Sequence, residues 1–331
     1  MKVAVIGGGI SGLATSRALS SAGIETTLFD TGKKVVGGRC SSREVMIDGK
    51  RIIMDHAAQY LALDPAVSHP AYVKFVGSLV DQGVLREWCS QIADIGNDGS
   101  TPNQSIITER NKKFVCIHGM GYLPVAMSVG LSVNQNVWVN RLERVDKKWR
   151  VFGNRQSFGD FDKVVIAHNG KCADRLVSSV REYVPAIHER LRVNFGPEIK
   201  NPRSMRKMHL CSLYVLVFVI RGRLPSAADA YNIESNESNL SWICNTSRKL
   251  KRSVDTSDAN VGNEDDFESW TIISSRQFAA ENKVPQESIP KETEACVTQT
   301  LLQDFERTIS LPIGSVKPEY TKLQVRFMKI N

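Results

Sequence analysis

"KVAVIGGGISGLATSRALSSAGIETTLFD" occupies residues 2–30, and its internal order decides the fold. Val3 to Ile6 is a short apolar run rich in β-branched residues, the pattern of a buried strand. Gly7-Gly8-Gly9-Ile10-Ser11-Gly12 follows and fits G-x-G-x-x-G, counted on Gly7, Gly9 and Gly12. Apolar residues then recur at helical spacing from Leu13 to Ala22, with Gly23 as a C-terminal stop. Ile24 to Phe29 reads as a second strand and runs into Asp30, 18 positions beyond Gly12. This order predicts a Rossmann-type dinucleotide-binding unit. Gly7 permits the tight turn, Gly9 lets the backbone approach a pyrophosphate, and Gly12 lets the helix pack on the strand. Ile10 and Ser11 stand at the loop's entry to the helix, whose N-terminus attracts phosphate charge. Asp30 can accept hydrogen bonds from ribose hydroxyls and would repel a 2′-phosphate, which disfavours NADP and leaves NAD and FAD.

A second motif separates those two. "GKKVVGGRCSSR" brings Gly37-Gly38-Arg39 shortly after Asp30, and "IIMDHAAQY" brings Asp55, His56, Ala57, Ala58, Gln59 and Tyr60. An NAD dehydrogenase has no need of a Gly-Gly-Arg turn just past its second strand. Arg39 offers a fork of donors suited to a diphosphate, and the glycines before it let backbone and ligand meet closely. The plain alternative for Arg39 is a surface arginine beside a turn. For His56, a lone histidine at a strand end, the structural reading is favoured over a catalytic one.

Together these motifs resemble the renalase-like family of FAD/NAD(P)-binding oxidoreductases, which is related to the amine oxidases. "GVLREW" (83–88), "HGMGYLPVAM" (118–127), "WVNRLERVDKKWRV" (138–151) and "DKVVIAHNGKCADRL" (162–176) extend the resemblance in the same order. The "HNGKCA" wording is most similar to plant and algal-type members. The resemblance implies an α/β fold in which a Rossmann-like FAD domain of the GR2 type is interleaved with a substrate domain of mixed sheet and helices. It implies FAD segments at 1–64 and 112–175, substrate segments at 65–111 and 176–316, and a divergent tail at 317–331. It also implies FAD contacts from Gly7, Gly9, Ile10, Ser11, Gly12, Asp30, Gly38, Arg39, Ala58, Gln59, Tyr60 and Leu142. Ser11 and Arg39 would meet the pyrophosphate, Asp30 the adenosine ribose, Gln59 and Tyr60 the isoalloxazine, and Leu142 would lend backbone groups to the adenine. The implied activity is hydride transfer from isomeric forms of reduced nicotinamide dinucleotides to the flavin, with O2 reduced to hydrogen peroxide. An amine substrate is the alternative: amine oxidases of related fold surround the flavin with an aromatic cage, and the sequence alone does not place Tyr60, Tyr214, Tyr231 or Trp242 there.

The family closes with a strand and helix carrying a G-D or G-E element beside the flavin. "KPEYTK" (317–322) resembles the approach to it, but no glycine follows Gly314 and no acid follows Glu319. The expectation is therefore weak FAD retention and marginal stability, with a truncated, catalytically impaired product as a further alternative.

The 331 residues suffice for two joined domains with sizeable cores, and 42% hydrophobic with 24% charged residues is ordinary for a soluble globular protein. Net charge is +8, and residues 181–223 hold nine Lys/Arg against three Glu. A solvated basic face is the favoured reading, with electrostatic guidance of a phosphate-bearing substrate as the sharper one. Neither a recognition motif nor an aromatic-interleaved basic stripe supports nucleic-acid binding. The seven cysteines show no CxxC and no metal-ligand spacing, so reduced thiols and no metal site are expected. Met1 lies six residues ahead of Gly7, leaving no room for a signal or transit peptide, and a cytoplasmic location is expected. Leu210 to Ile220, the longest apolar stretch, is too short to cross a bilayer and reads as a buried strand. Lys251 to Glu268 reads as a polar surface loop, and Glu292 to Ile309 as an amphipathic helix packing Cys296, Leu301, Leu302, Phe305 and Ile309.

Overall fold

The computed structural model describes residues 1–89, 91–96, 112–191, 194–195, 209–235, 237–251, 266–285 and 288–330. The chain opens with β1 (Lys2–Ile6), α1 (Ile10–Ser21) and β2 (Glu25–Phe29). β3 (Ser42–Ile47), β4 (Lys50–Asp55), β5 (Leu61–Leu63), α2 (Pro70–Asp81), β6 (Leu85–Glu87), β7 (Ile92–Ile95) and β8 (Lys112–Cys116) follow. Next come α3 (Tyr122–Ser128), β9 (Ser132–Asn134), β10 (Val139–Val145), β11 (Lys148–Gly153), β12 (Gln156–Phe161), β13 (Lys163–Ile166), α4 (Gly170–Ser178) and α5 (Pro185–Leu191). The remainder is β14 (Asn194–Phe195), β15 (His209–Arg221), β16 (Ala230–Ile233), β17 (Leu240–Asn245), α6 (Thr246–Lys251), β18 (Phe267–Ser274), α7 (Arg276–Glu281), α8 (Lys291–Thr308) and β19 (Pro318–Ile330).

Contacts divide these elements into two compact units. The first comprises 1–41, 121–210 and 329–331, and the second 42–120 and 211–328. The first carries a parallel sheet in the order β13-β1-β2-β9 and an antiparallel meander β10-β11-β12. Ala4 and Ile6 of β1 are buried because Phe29, Leu142, Val151, Phe161 and Leu176 pack about them. Such burial of a parallel strand is why β1 reads as a continuous apolar run. α1 begins at Ile10, three residues before the first apolar helical position expected, because Gly9 caps it and the glycine loop enters the helix directly.

In the second unit β15, β18, β17, β16 and β7 form one sheet in that order, with β19 also paired to β15. Alternation along β15 shows why Leu210 to Ile220 carries so little polar signal. Tyr214, Leu216, Phe218 and Ile220 face the core that includes Trp270, Leu301 and Phe305. Val215, Val217 and Val219 face the other way, onto Ile52 and Met54 of β4. Both faces are buried, so neither can be polar.

The segment boundaries differ from those expected. The β3–β4 hairpin belongs to the second unit, because Ser269 Oγ donates to the Ile53 carbonyl at 3.1 Å and Thr271 Oγ1 to the Asp55 carbonyl at 2.9 Å. Helices α4 and α5 stay with the first unit, where the Ser179 hydroxyl following α4 holds Leu142 of β10. Residues 318–330, expected within a divergent tail, form β19. Phe267 and Glu268, expected in a loop, open β18 and are buried, while residues 252–265 of that loop lie outside the described residues. α8 matches the amphipathic reading through Leu301, Phe305 and Ile309, but Cys296 is exposed and Val297 takes the buried position.

Candidate functional site

In the first unit the glycine-rich loop and the Gly-Gly-Arg turn are fused. Gly37 N–H donates to the Gly8 carbonyl at 2.9 Å, and Gly9 and Gly37 form an isolated parallel bridge. Gly12 sits so close to the preceding strand end that a Cβ there would lie 1.9 Å from the Gly7 carbonyl oxygen. Gly37 has φ of +144°, a conformation that a side chain would strain. Around Gly9 and Gly38 the nearest foreign atoms are main-chain atoms, at 4.0 and 3.6 Å from an ideal Cβ. The result is a strip of bare main chain before the first turn of α1, whose N–H groups at Ile10 and Ser11 have no intrahelical acceptor to reach. Ser11 is exposed on that turn, and Arg39 is exposed at the end of the strip with no partner among the described residues. Such an N-terminus attracts an anion through both its amides and its dipole.

Asp30 has a second task beside the one read from the sequence. It is 9% exposed, and its two carboxylate oxygens accept from Gly8 N–H at 2.9 Å and Gly32 N–H at 2.8 Å. The acid thus fastens the glycine loop to the end of β2. Leu142 is also engaged within the unit: its N–H donates to Ser179 Oγ at 3.2 Å, and that hydroxyl lies 3.4 Å from its carbonyl oxygen. His168, just past β13, has its backbone nitrogen 3.1 Å from where a Cβ on Gly7 would be. Burial pushes its imidazole below the ordinary histidine range, so it stands neutral beside the loop at pH 7.

Ala58, Gln59 and Tyr60 belong to the second unit, as do Asp55 and His56. His56 is buried. Asp55 is fully buried and pairs with the equally buried Lys249 of α6, Nζ to Oδ2 at 2.7 Å. Its other oxygen accepts from Ser42 Oγ at 2.5 Å and Met120 N–H at 2.8 Å. Lys249 also reaches the Gln59 carbonyl at 3.2 Å. Desolvation opposes its charge, but Asp55 overrides this and holds the ammonium above its ordinary range. Gln59 Nε2 is tied to the carbonyls of Asp55 at 2.8 Å and Ala57 at 3.1 Å, which leaves its Oε1 a buried acceptor with no partner among the described residues. Neither Lys249 nor the Ser42 hydroxyl carries a motif signal; the one sequence cue is the acid Asp55 ending an apolar strand.

Of the four aromatic residues weighed for an amine site, Tyr60 and Trp242 have ring centroids 5.8 Å apart. Tyr214 and Tyr231 instead lie in the main core of the second unit. The basic stretch at 181–223 is only partly described, since residues 192–193 and 196–208 lie outside the described residues. Within it Arg221 is paired to Asp48 at 2.7 Å and Glu319 at 3.2 Å. No cluster with the make-up of a metal site occurs among the described residues, and none of the described helices is long and apolar enough to cross a membrane.

Fold and loop geometry define a Rossmann-like nucleotide-binding unit joined in one chain to a mixed-sheet unit. Residues 5–74 match the family profile of the NAD(P)-binding Rossmann-like domain. Among solved structures, a proposed protoporphyrinogen oxidase from Exiguobacterium sp. 255-15 aligns with a TM-score of 0.62 at 11% identity, over 98% of this chain and 86% of that one. Wild-type putrescine oxidase bound to putrescine aligns with a TM-score of 0.55 at 14% identity, over 98% and 84%. A proposed FAD-containing monooxygenase from Photorhabdus luminescens subsp. laumondii TTO1 gives 0.50 at 14% identity, over 100% and 77%. At these identities the likeness establishes the shared α/β architecture.

Proposed function

We propose that this chain is an FAD-dependent oxidoreductase acting on a small molecule. The observation that carries the reading is the fused pair of glycine turns, with its side-chain-free strip and exposed Arg39. A diphosphate fits there: α1 offers amides and a positive dipole end, Arg39 a fork of donors, and the glycines a close approach. In the second unit Gln59 Oε1, buried and without a partner among the described residues, can accept from a ring N–H of the kind the isoalloxazine bears. Asp30 would meet the ribose with the acceptor capacity left after Gly8 and Gly32. In this reading Gly7, Gly9, Ile10, Ser11, Gly12, Gly38 and Arg39 hold the diphosphate, and Ala58, Gln59 and Tyr60 border the flavin. The FAD-containing and flavin-dependent neighbours support the choice of FAD.

Bound FAD supplies the two-electron redox chemistry; the protein's share is binding, orientation and exclusion of water. We take the first unit as the cofactor domain and the second as the substrate domain, in a cytosolic setting. The preferred donor is a reduced nicotinamide dinucleotide of the renalase type, with O2 as acceptor and hydrogen peroxide as product. The second reading, an amine substrate, draws on the putrescine oxidase likeness and the aromatic group around Tyr60.

The test is a visible spectrum of the purified protein with and without added FAD, followed by anaerobic bleaching with dihydronicotinamide isomers and with amines. A flavin spectrum bleached fastest by a dihydronicotinamide supports the proposal. Tight NAD binding without flavin affinity overturns the cofactor assignment, and faster bleaching by an amine overturns the substrate ordering.

A further inference from the structure

Within the second unit, Tyr60 stands between two tryptophans. Its ring centroid is 5.8 Å from that of Trp88 and 5.8 Å from that of Trp242, with interplanar angles of 46° and 52°. Tyr60 and Trp242 are half-buried, while Trp88 is only 3% exposed. Both indole N–H groups are buried without an acceptor among the described residues. Arg86 precedes Trp88 by two residues, which puts the two side chains on one face of the extended chain. One guanidinium nitrogen, Nη2, donates to the carbonyls of Lys249 and Leu250 at the end of α6. Lys249 in turn holds the Gln59 carbonyl, so Arg86 is tied to the segment that carries Tyr60. Arg86 Nε and Nη1 are buried and unpartnered, and no carboxylate pairs with Arg86 among the described residues.

The unsatisfied groups on these three side chains are all donors, and one of the three is a cation. Four nearby acidic groups bear on them: Asp55 is paired with Lys249, the Asp229 carboxylate takes the Gln91 N–H at 3.5 Å, and Asp94 and Cys244 remain. The Asp94 carboxylate faces Tyr60, but its Oδ1 is taken by Asn232 Nδ2 at 3.0 Å. Burial pushes the Cys244 thiol up to about 12, so it is neutral at pH 7. An N–H left without an acceptor in a buried place costs free energy, and a group of them beside half-buried aromatic rings describes a partner that is missing.

We propose that Tyr60, Trp88, Trp242 and Arg86 form a substrate subsite for a planar ring bearing an oxygen acceptor, a carboxylate or a carboxamide, and that it discriminates against protonated amines. The ring stacks against Tyr60 and Trp242, and the oxygen accepts from indole N–H groups and the guanidinium. An ammonium brings only donors, leaves these N–H groups unpaired and meets the charge of Arg86. The inference rests on the oxidoreductase reading for the reaction that follows, but not for binding itself.

The test uses the full chain, with and without FAD, and measures binding of benzoate, benzamide and benzylamine by calorimetry and tryptophan fluorescence. Benzoate and benzamide are expected to bind about tenfold or more tightly than benzylamine, and their order tells carboxylate from carboxamide recognition. Arg86→Met should weaken benzoate by about tenfold, and Trp242→Phe should weaken both oxygen-bearing probes while keeping a stacking surface. If Arg86→Met does not fold, Arg86→Lys, which keeps the charge and loses the fork, takes its place. Benzylamine binding as tightly as benzoate, or folded Arg86 variants with unchanged benzoate affinity, overturns the proposal. A chain that takes no FAD but keeps the probe order sinks the oxidoreductase reading alone, whereas a reversed order on FAD-loaded protein sinks the subsite alone.

Discussion

In the first unit the candidate ligand surface is main chain: two glycine turns bridged at Gly9 and Gly37, with the first-turn amides of α1 behind them. In the second unit the corresponding features are side chains drawn from far apart in the sequence. Asp55 meets Lys249, Arg86 meets the end of α6, and Tyr60 meets Trp242. The difference is one of tolerance. A backbone cradle needs residues with no side chain, because any Cβ fills the space the ligand or the neighbouring strand requires. A buried polar cluster needs every charge and donor answered by a partner, and the partner can sit anywhere in the chain.

The sharpest way to break this contrast is Lys249→Met. It leaves Asp55 buried without its counter-charge and is expected to cost about 3–5 kcal/mol of stability, measured by urea unfolding. Removing both charges with Asp55→Asn and Lys249→Met should recover a large part of that loss. If the single variant unfolds at the wild-type midpoint, the buried pair is not what holds the second unit's site together.

A smaller effect is expected from Gly12→Ala, whose Cβ would need the Gly7 carbonyl to move from 1.9 Å. Overpacking of this kind costs about 1–3 kcal/mol, with the upper end expected because the obstacle is backbone. FAD uptake should fall with it. Gly77→Ala in α2, where a Cβ meets nothing within 4 Å, is the control and should be neutral or stabilising.

Arg39→Ala should leave the unfolding midpoint unchanged, since the side chain is exposed and has no partner among the described residues. It should weaken FAD binding by about 1.5–3 kcal/mol, read from a flavin titration. A stability loss with unchanged affinity would make Arg39 a structural residue and blur the distinction between the two units.

The smallest expected effect is a pH dependence from His168. Burial lowers its pKa in the folded state, so below the ordinary histidine value the unfolded chain binds the proton and the folded one does not. Stability contributed by the neutral ring is therefore complete above about pH 6.5 and declines as pH falls from there toward the lower folded value. Thermal melting from pH 7.5 to 5.5 should show that decline in the wild type and less of it in His168→Gln. Equal slopes in both proteins would exclude His168 as the cause.

By itself the sequence determined the β1–α1–β2 start, the strand β15 and the helix α8, because each is written in local pattern. The glycines of the two turns were equally legible, since a tight approach or a positive φ admits few other residues. Asp30 was legible as an acid but not as the latch on Gly8 and Gly32, which depends on how the loop folds back. Only the tertiary structure decided that the 42–55 hairpin sits with the second unit, that Phe267 and Glu268 continue into a buried strand, and that Lys249 and Arg86 are functional candidates. Lys249 lies 194 positions from the carboxylate that keeps it charged. A lysine in a basic stretch reads as solvated; only a partner brought from that distance allows it to be buried, and no local rule of spacing or propensity encodes such a meeting.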